Sequence, residues 1–280
     1  MIVVTGSSGF IGSNLVRKLY ELKKEVVCID YVDRNYNSDI FTNISRFHPD
    51  DFYDFPENYC KRFNIEAVFH EGGISSTTET DQTKLNKYNF ECTTHLIQFC
   101  KKFKIPIQYA SSASVYGNPS VEVWNQKEKP ISPLNLYAKS KTRIDSVAEN
   151  EIKKIPEKSI QGMRYFNVYG PNEDHKGDQA SPYHKFKKQL EETGKIKLFE
   201  GSENFYRDFI SVEELIEKKL YCLENKSSGI YDVGTGTPKS FYDVAIEVGG
   251  SDSVVEWIPM PENLKEHYQK YTKANMDWLN

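Results

Sequence analysis

The stretch Ile2-Val3-Val4-Thr5-Gly6-Ser7-Ser8-Gly9-Phe10-Ile11-Gly12 decides the fold: an apolar run enters a glycine turn, and a helical pattern follows. Gly6 permits the tight turn, Gly9 lets backbone approach phosphate oxygens, and Gly12 lets the helix pack close to the strand. An anion then meets the helix N-terminus. Three glycines alone more often mark a surface loop. Their position after an apolar strand, with Asp30 closing the next apolar run Val26-Val27-Cys28-Ile29, predicts a dinucleotide seat.

Working outward, apolar segments near 2–5, 25–30, 66–70, 105–111 and 160–166 alternate with amphipathic ones. That rhythm predicts an α/β chain with a Rossmann-type, doubly wound parallel sheet. Ile11, Leu15, Leu19 and Leu22 form one helical stripe, and Leu96, Ile97, Phe99, Cys100 and Phe103 another; both read as core. Beyond Gly170-Pro171 the elements shorten. Segments 196–199, 230–233 and 254–258 read as strands of a smaller C-terminal α/β lobe that binds substrate and closes over the carboxyl ends of the sheet. The expected division is 1–170 for the dinucleotide-binding domain and 171–280 for the lobe, with sheet strands shared across the boundary. Residues 31–56 are polar and aromatic without a clear period.

A chain of 280 residues buries a core without staples, and a formal charge of −4 offers no basic field for nucleic acid. Five scattered cysteines, Cys28, Cys60, Cys92, Cys100 and Cys222, form neither a disulfide framework nor a zinc motif, so reduced cytoplasm is the expected setting. No secretory leader and no apolar run of about 18 residues is expected to engage a membrane. The six histidines lack metal-ligand spacing, so no metal is expected; His70, ending an apolar strand, reads as a hydrogen-bonded core residue.

After the fifth apolar segment comes Tyr109-Ala110-Ser111-Ser112-Ala113-Ser114-Val115-Tyr116-Gly117, and later Tyr137-Ala138-Lys139-Ser140-Lys141 opens a helix. Tyr137 and Lys141 thus share a helix face, one turn apart. A tyrosine with its ordinary pKa near 10 is a poor base at neutral pH. An ammonium about 4 Å away, at an effective dielectric near 20, is worth roughly 4 kcal/mol, enough to lower that pKa by about three units before desolvation is counted. Ser112 can hold a reacting alcohol in place.

The glycine turn, Ser112 and the Tyr137/Lys141 pair resemble the extended short-chain dehydrogenase/reductase superfamily, which binds a dinucleotide and works on nucleotide sugars. Its dehydratases carry an acidic pair where this chain has Ala113-Ser114, which disfavours dehydration. Four further blocks narrow the match: His70-Glu71-Gly72-Gly73-Ile74-Ser75-Ser76-Thr77-Thr78-Glu79, Arg164-Tyr165-Phe166-Asn167-Val168-Tyr169-Gly170-Pro171, His175-Lys176-Gly177 and Leu198-Phe199-Glu200-Gly201-Ser202-Glu203-Asn204-Phe205-Tyr206-Arg207-Asp208-Phe209. Together they resemble the family of ADP-heptose 6-epimerases that supply the lipopolysaccharide inner core. Such an enzyme oxidises C6 to a carbonyl, lets the C5–C6 bond rotate, and reduces the other face with the same cofactor. After rotation the oxygen points elsewhere, so the resemblance implies two acid/bases, Tyr137 for one epimer and Lys176 for the other. Taken alone, Lys176 reads as a solvated loop lysine.

The resemblance further implies cofactor contacts from Gly6, Gly9, Phe10, Ile11, Gly12, Asp30, Tyr31, Glu71, Gly72, Gly73, Ile74, Ser75, Asn89, Tyr137, Lys141, Val168 and Lys176. It implies NADP, whereas a carboxylate at Asp30 normally holds a free ribose 2′-hydroxyl and favours NAD. Arg34 could neutralise a 2′-phosphate, with Lys61 a weaker candidate. On the ADP-heptose side it implies Ser112, Asn167, Asp178, Lys185, Phe199, Glu200, Gly201, Ser202, Arg207 and Tyr268. Arg207 suits a pyrophosphate because its planar fork donates two hydrogen bonds; alone, it reads as a surface arginine paired with Asp208. Asp178 and Lys185 stand where the family has a serine and a histidine, with His184 adjacent. A homo-oligomer, a pentamer by resemblance, is expected. Residues 271–280 read as the start of a helix that relatives continue. The alternatives are a UDP-hexose 4-epimerase, against which Lys176 and the ADP-heptose block argue, and a non-catalytic dinucleotide sensor, against which Ser112, Tyr137 and Lys141 argue.

Overall fold

The computed structural model describes residues 1–32, 34, 36, 40, 64–154, 159–262 and 269–279, and the backbone of 45–47. In chain order the elements are β1 (Ile2–Thr5), α1 (Phe10–Glu21), β2 (Val26–Ile29), β3 (Ser45–Phe47), β4 (Ala67–His70), α2 (Gln82–Leu85), a π-helical segment Asn86–Glu91, α3 (Cys92–Phe103), β5 (Ile107–Ser112), α4 (Val121–Trp124) and α5 (Leu136–Ile152). They continue with β6 (Ile160–Tyr165), β7 (Asn167–Tyr169), α6 (Pro182–Thr193), β8 (Ile196–Phe199), β9 (Tyr206–Arg207), β10 (Phe209–Ser211), α7 (Val212–Asn225), β11 (Gly229–Val233), β12 (Lys239–Ser240), α8 (Phe241–Gly249) and β13 (Val255–Ile258).

These form two compact units whose segments interleave: Met1–Val115, Pro133–Arg164 and Ile216–Tyr231 in the first, Tyr116–Ser132, Tyr165–Leu215 and Asp232–Asn280 in the second. The chain therefore passes between units more than once, where the sequence reading drew a single boundary at 170.

The first unit is built on a seven-stranded sheet of order β11-β6-β5-β4-β1-β2-β3, and the pairs β3–β2, β2–β1, β1–β4 and β4–β5 are parallel. Strand order reverses between β1 and β4, the switch point beside which doubly wound sheets bind ligands. All four residues of β1, β2 and β4 are buried, as both faces of a parallel sheet require. Val3, Val27, Val68 and Ile107 share one core with Leu96, Ile97 and Cys100 of α3 and Ile144 and Ala148 of α5, while Phe99 and Phe103 pack half-buried against it. Each such aliphatic side chain contributes about 2 kcal/mol when fully buried. In the first stripe Leu15 and Leu19 are buried, but Leu22 is 50 % exposed because α1 ends at Glu21 and the chain turns away. Segment 230–233 also departs from its expected place: β11 is the edge of the main sheet, beside β6, instead of part of the C-terminal lobe.

The second unit holds three short pairings, β7 with β10 and β8 with β13 in parallel and β9 with β12 antiparallel. Phe186, Ile196, Leu198, Phe209, Val244 and Ala245 form its core. Ser181 caps α6 by accepting from His184 N, with Pro182 at the first helical position; Ser240 and Asp243 close a reciprocal capping box on α8. The expected helix at 271–280 does not form. Residues 271–276 carry no helix, and Asp277–Leu279 makes one 3₁₀ turn. Two buried carboxylates hold this segment instead. Asp208 accepts from Ala274 N at 2.9 Å, Thr235 N at 2.7 Å and Gly236 N at 2.8 Å, and Asp232 accepts from Asn275 N at 2.9 Å and Tyr116 Oη at 2.6 Å. Asp208→Ala strands several buried donors and is expected to destabilise by about 3 kcal/mol in urea unfolding; an unchanged midpoint would contradict this anchoring role.

Candidate functional site

The first unit carries a cradle at its switch point. Gly6 has φ +65°, and a Cβ there would lie 2.5 Å from Gly72 N; a Cβ on Gly12 would lie 2.0 Å from Gly6 O. No side chain fits at either position, so the backbone is bare where a ligand could approach. Gly9 caps α1 without a side-chain hydrogen bond, and no acidic residue occupies the first turn. A helix N-terminus left open in this way fits the pyrophosphate of a dinucleotide. Phe10 is buried beneath the turn, Ile11 is half-buried, and Tyr31 is exposed with its ring edge-on to Tyr88 at 6.0 Å.

Asp30 is tied to the same turn, its Oδ2 accepting from Ser8 N at 2.8 Å and its Oδ1 from Val32 N at 3.1 Å. Arg34 also reaches the turn, donating Nη1 to Ser8 O at 3.2 Å. A carboxylate and a guanidinium therefore meet at Ser8. Lys61 lies outside the described residues.

The loop after β4 is fixed from three directions. Asn89, buried in the π-helical segment, accepts from Ile74 N at 2.7 Å and donates to Ile74 O at 3.0 Å and to Ser140 Oγ at 3.1 Å. Its amide thus clamps the 72–75 backbone, and both amide protons are used. Glu71 N donates to Thr5 O at 3.1 Å, and Gly72 N points at Thr5 Oγ1 at 3.3 Å. The Glu71 carboxylate pairs with Lys219 Nζ of α7 at 2.6 Å, with side chains 2 % and 0 % exposed. His70 lies buried between Thr5 Oγ1 at 2.6 Å and Thr93 Oγ1 at 2.9 Å. Burial, then the charges of Lys141 and Lys219, push its pKa down to about 3. His70 is therefore a neutral hydrogen-bonding post.

Ser112 ends β5 and Asn135 caps α5 by accepting from Ala138 N at 2.8 Å, which sets Tyr137 and Lys141 in the first turns of that helix. The Ser112 side chain acts on the Tyr137 hydroxyl. Burial raises the tyrosine's pKa above 10, Ser112 pulls it back down, and the Asp145 charge pushes it up again. The three-unit lowering expected from Lys141 is not what this arrangement produces. Lys141 Nζ is spent on Ala110 O at 2.7 Å and lies 5.9 Å from the Tyr137 ring centre. Burial brings Lys141 itself to about 8, against the opposing pull of Asp145, Glu71 and Cys92. Asp145, one turn beyond Lys141, was missed in the sequence. It is buried, accepting from Tyr109 Oη at 3.0 Å and Arg164 Nε at 2.8 Å.

In the second unit, Lys176 lies in the 3₁₀ segment Asp174–Gln179, with its Nζ 3.4 Å from Glu173 Oε2. Burial lowers its pKa, Glu173 raises it, and Lys185 lowers it further. Lys185 Nζ donates to Asp178 O at 2.6 Å, and His184 Nε2 is 4.0 Å from Asp174. Asn167 N donates to Asp208 O at 3.0 Å, and Val168 is half-buried opposite Ile210. Phe199 ends β8, its carbonyl accepting from Ser202 Oγ, while Glu200 N donates to Ile258 O at 2.9 Å. Gly201, with φ +85°, precedes the Ser202–Asn204 turn.

Arg207 is buried, donating to Tyr206 O at 3.0 Å and to Gln269 O, with its guanidinium 5.4 Å from the Phe241 ring centre. The surface pairing with Asp208 gives way to a buried arginine beside a carboxylate committed elsewhere. Tyr268 lies outside the described residues. Among the described residues, no group of three or more His, Cys, Asp or Glu side chains could hold a metal ion, and no helix is long and apolar enough to cross a membrane.

Comparison with known proteins adds independent findings. Residues 2–234 match the model of the NAD dependent epimerase/dehydratase family. The chain is 41 % identical to an ADP-L-glycero-D-manno-heptose-6-epimerase of Brachyspira hyodysenteriae, across 100 % of this chain and 90 % of that protein. It is 38 % identical to a protein of the same name from Alkalilimnicola ehrlichii, with the same coverage. The crystal structure of Helicobacter pylori ADP-L-glycero-D-manno-heptose-6-epimerase superposes with a TM-score of 0.82 at 28 % identity, covering 99 % of this chain and 87 % of that one.

The buried neutral His70 makes a pH prediction. Its folded pKa, about 3, lies below the unfolded 6.5, so the unfolded chain binds the extra proton between those values. This contribution to stability is complete above pH 6.5 and is lost as pH falls toward 3. Unfolding free energies measured across that window should fall more steeply for the native protein than for His70→Gln; equal slopes would contradict the assignment.

Proposed function

Because the chain belongs to the NAD-dependent epimerase/dehydratase family, we propose that it inverts C6 of ADP-D-glycero-β-D-manno-heptose to give the ADP-L-glycero-β-D-manno epimer, a precursor of the lipopolysaccharide inner core. The observation that carries the reaction type is the buried Tyr137 at the start of α5, with Lys141 Nζ 5.9 Å from its ring centre and the Ser112 side chain acting on its hydroxyl from the end of β5. The substrate follows from the relatives, whose names specify that reaction and whose identity to this chain extends along all of it.

In this reading Ser112 orients the C6 hydroxyl and Tyr137 exchanges its proton, with Ser112 also stabilising the phenolate. Lys141, held by the Ala110 carbonyl, supplies positive charge to the tyrosine's surroundings. Lys176 exchanges the proton for the opposite epimer. When bound, the nicotinamide supplies the hydride acceptor and donor, with no net consumption over a turnover. Gly6, Gly9 and Gly12 would seat its pyrophosphate, and the loop held by Asn89 and Lys219 would offer residues 71–75 to its ribose, mainly through backbone, since the Glu71 carboxylate is already paired.

For the cofactor we favour NADP. Both Asp30 oxygens already accept from backbone N–H groups, and Arg34 brings a cation to the same turn. A guanidinium suits a phosphate there. Arg34→Ala should therefore weaken binding of NADP more than that of NAD in titrations of the purified protein, whereas equal losses would contradict this choice.

Tyr137→Phe and Lys176→Met are each expected to lower epimerisation by about 10²- to 10⁴-fold while leaving cofactor binding intact. Turnover is read by proton NMR and cofactor by release on denaturation. Native turnover by both variants would overturn the two-base reading.

A further inference from the structure

Lys176 does not stand in its loop unsupported. Glu173, fully buried, accepts at Oε1 from Gly170 N at 3.1 Å and Ser181 Oγ at 2.7 Å, and at Oε2 from Ser181 N at 2.7 Å and Lys176 Nζ at 3.4 Å. Four donors converge on it, the full acceptor capacity of a carboxylate. Three of the four come from backbone or from a short side chain that also caps α6 by accepting from His184 N at 3.2 Å. The anion therefore cannot follow the lysine; the long, rotatable lysine must follow the anion. The local backbone cooperates. Lys176 N donates to Glu173 O at 2.9 Å, and Gly177 breaks the helical path at φ +50°, ψ −124°, with nothing within 4 Å of where its Cβ would be.

We propose that Glu173 is a positioning residue for Lys176, fixing where its ammonium sits and holding it ready as a proton donor to the sugar oxygen. This rests on the reading of Lys176 as the second acid/base. Glu173 and Lys185 act electrostatically on Lys176, and Asp174 of the same segment lies 4.0 Å from His184 Nε2. Burial and Lys185 both disfavour the ammonium, and Glu173 is the group that opposes them. A lysine that must be protonated to act loses activity as pH rises through its pKa. Removing the Glu173 charge lowers that pKa, so the alkaline limb of the rate profile moves to lower pH.

The test uses the holoenzyme with ADP-heptose in both directions across pH, with Glu173→Gln, Glu173→Asp, Lys176→Met and the corresponding double variants. Glu173→Gln should lower kcat about tenfold in both directions, as Lys176→Met does more severely, with a smaller change in KM, and should move the alkaline limb down by about one pH unit in the direction in which Lys176 donates its proton. Glu173→Asp, which keeps the charge, should restore the limb. In the Lys176→Met background neither Glu173 substitution should lower kcat further, because the group it acts through is gone. Should Glu173→Gln fail to fold, Glu173→Asp, which keeps the charge but withdraws the carboxylate by one methylene, should lower kcat at a native alkaline limb when Lys176 is present and not in the Lys176→Met background; a native kcat, or an equal loss in both backgrounds, would overturn the proposal. A native pH limb in Glu173→Gln, or an equal further loss in the Lys176→Met background, would overturn the proposal and leave Glu173 as a loop fastener only. If Lys176→Met itself turned over at the native rate, the underlying two-base reading would fall, and this inference with it.

Discussion

The carbonyl and Cα of Gly6 occupy a place where no second layer of atoms fits. The start of α1 presses on them through Gly12, and the loop after β4 presses on them through Gly72, at distances that exclude a Cβ on either side. This contact joins β1, α1 and β4 at the reversal of strand order, and much of the first unit is arranged to preserve it. Thr5 hydrogen-bonds His70, His70 hydrogen-bonds Thr93 on α3, and Asn89 clamps Ile74 from the π-helical segment. A π-helical insertion widens the helix by a residue per turn and is common at functional sites; here it brings Asn89 to the loop.

Buried charge is the second recurring device. Glu71 with Lys219, Asp145 with Arg164 and Glu173 with Lys176 each bring an acid and a base together away from full solvent. Such pairs are weak evidence for stability, since desolvation offsets much of their attraction, but loss of one partner leaves an uncompensated charge. Their use is geometric and electrostatic. Asp145 and Glu71 counter the burial of Lys141, and Glu173 counters that of Lys176. Both lysines would otherwise lose their protons more readily.

Much of this was legible in the residues themselves. The glycine turn, the alternating apolar segments and the Tyr137/Lys141 face are local patterns with short periods, and the corresponding elements formed within a residue or two of their expected limits. Asp145 and Glu173 carried a readable signal, each within one helical turn of a lysine already singled out. Lys219 had none, because its partner Glu71 is 148 positions away and only the tertiary fold unites them. β11 was misassigned because a short apolar strand carries no mark of the sheet it joins. The C-terminal segment was misread as helix because its anchors, Asp208 and Asp232, are distant carboxylates that take its backbone donors. The sign of the Tyr137 shift was missed because an ammonium one turn away can be spent on a carbonyl, and burial then prevails.

An epimerase that inverts a sugar carbon with a cofactor it retains and regenerates needs no added nicotinamide to turn over. The most direct measurement is to incubate the purified protein, without added cofactor, with ADP-D-glycero-β-D-manno-heptose and follow C6 by proton NMR. The prediction is a mixture of both C6 epimers with no net accumulation of reduced nicotinamide. Unchanged sugar from protein shown to carry bound cofactor would contradict it.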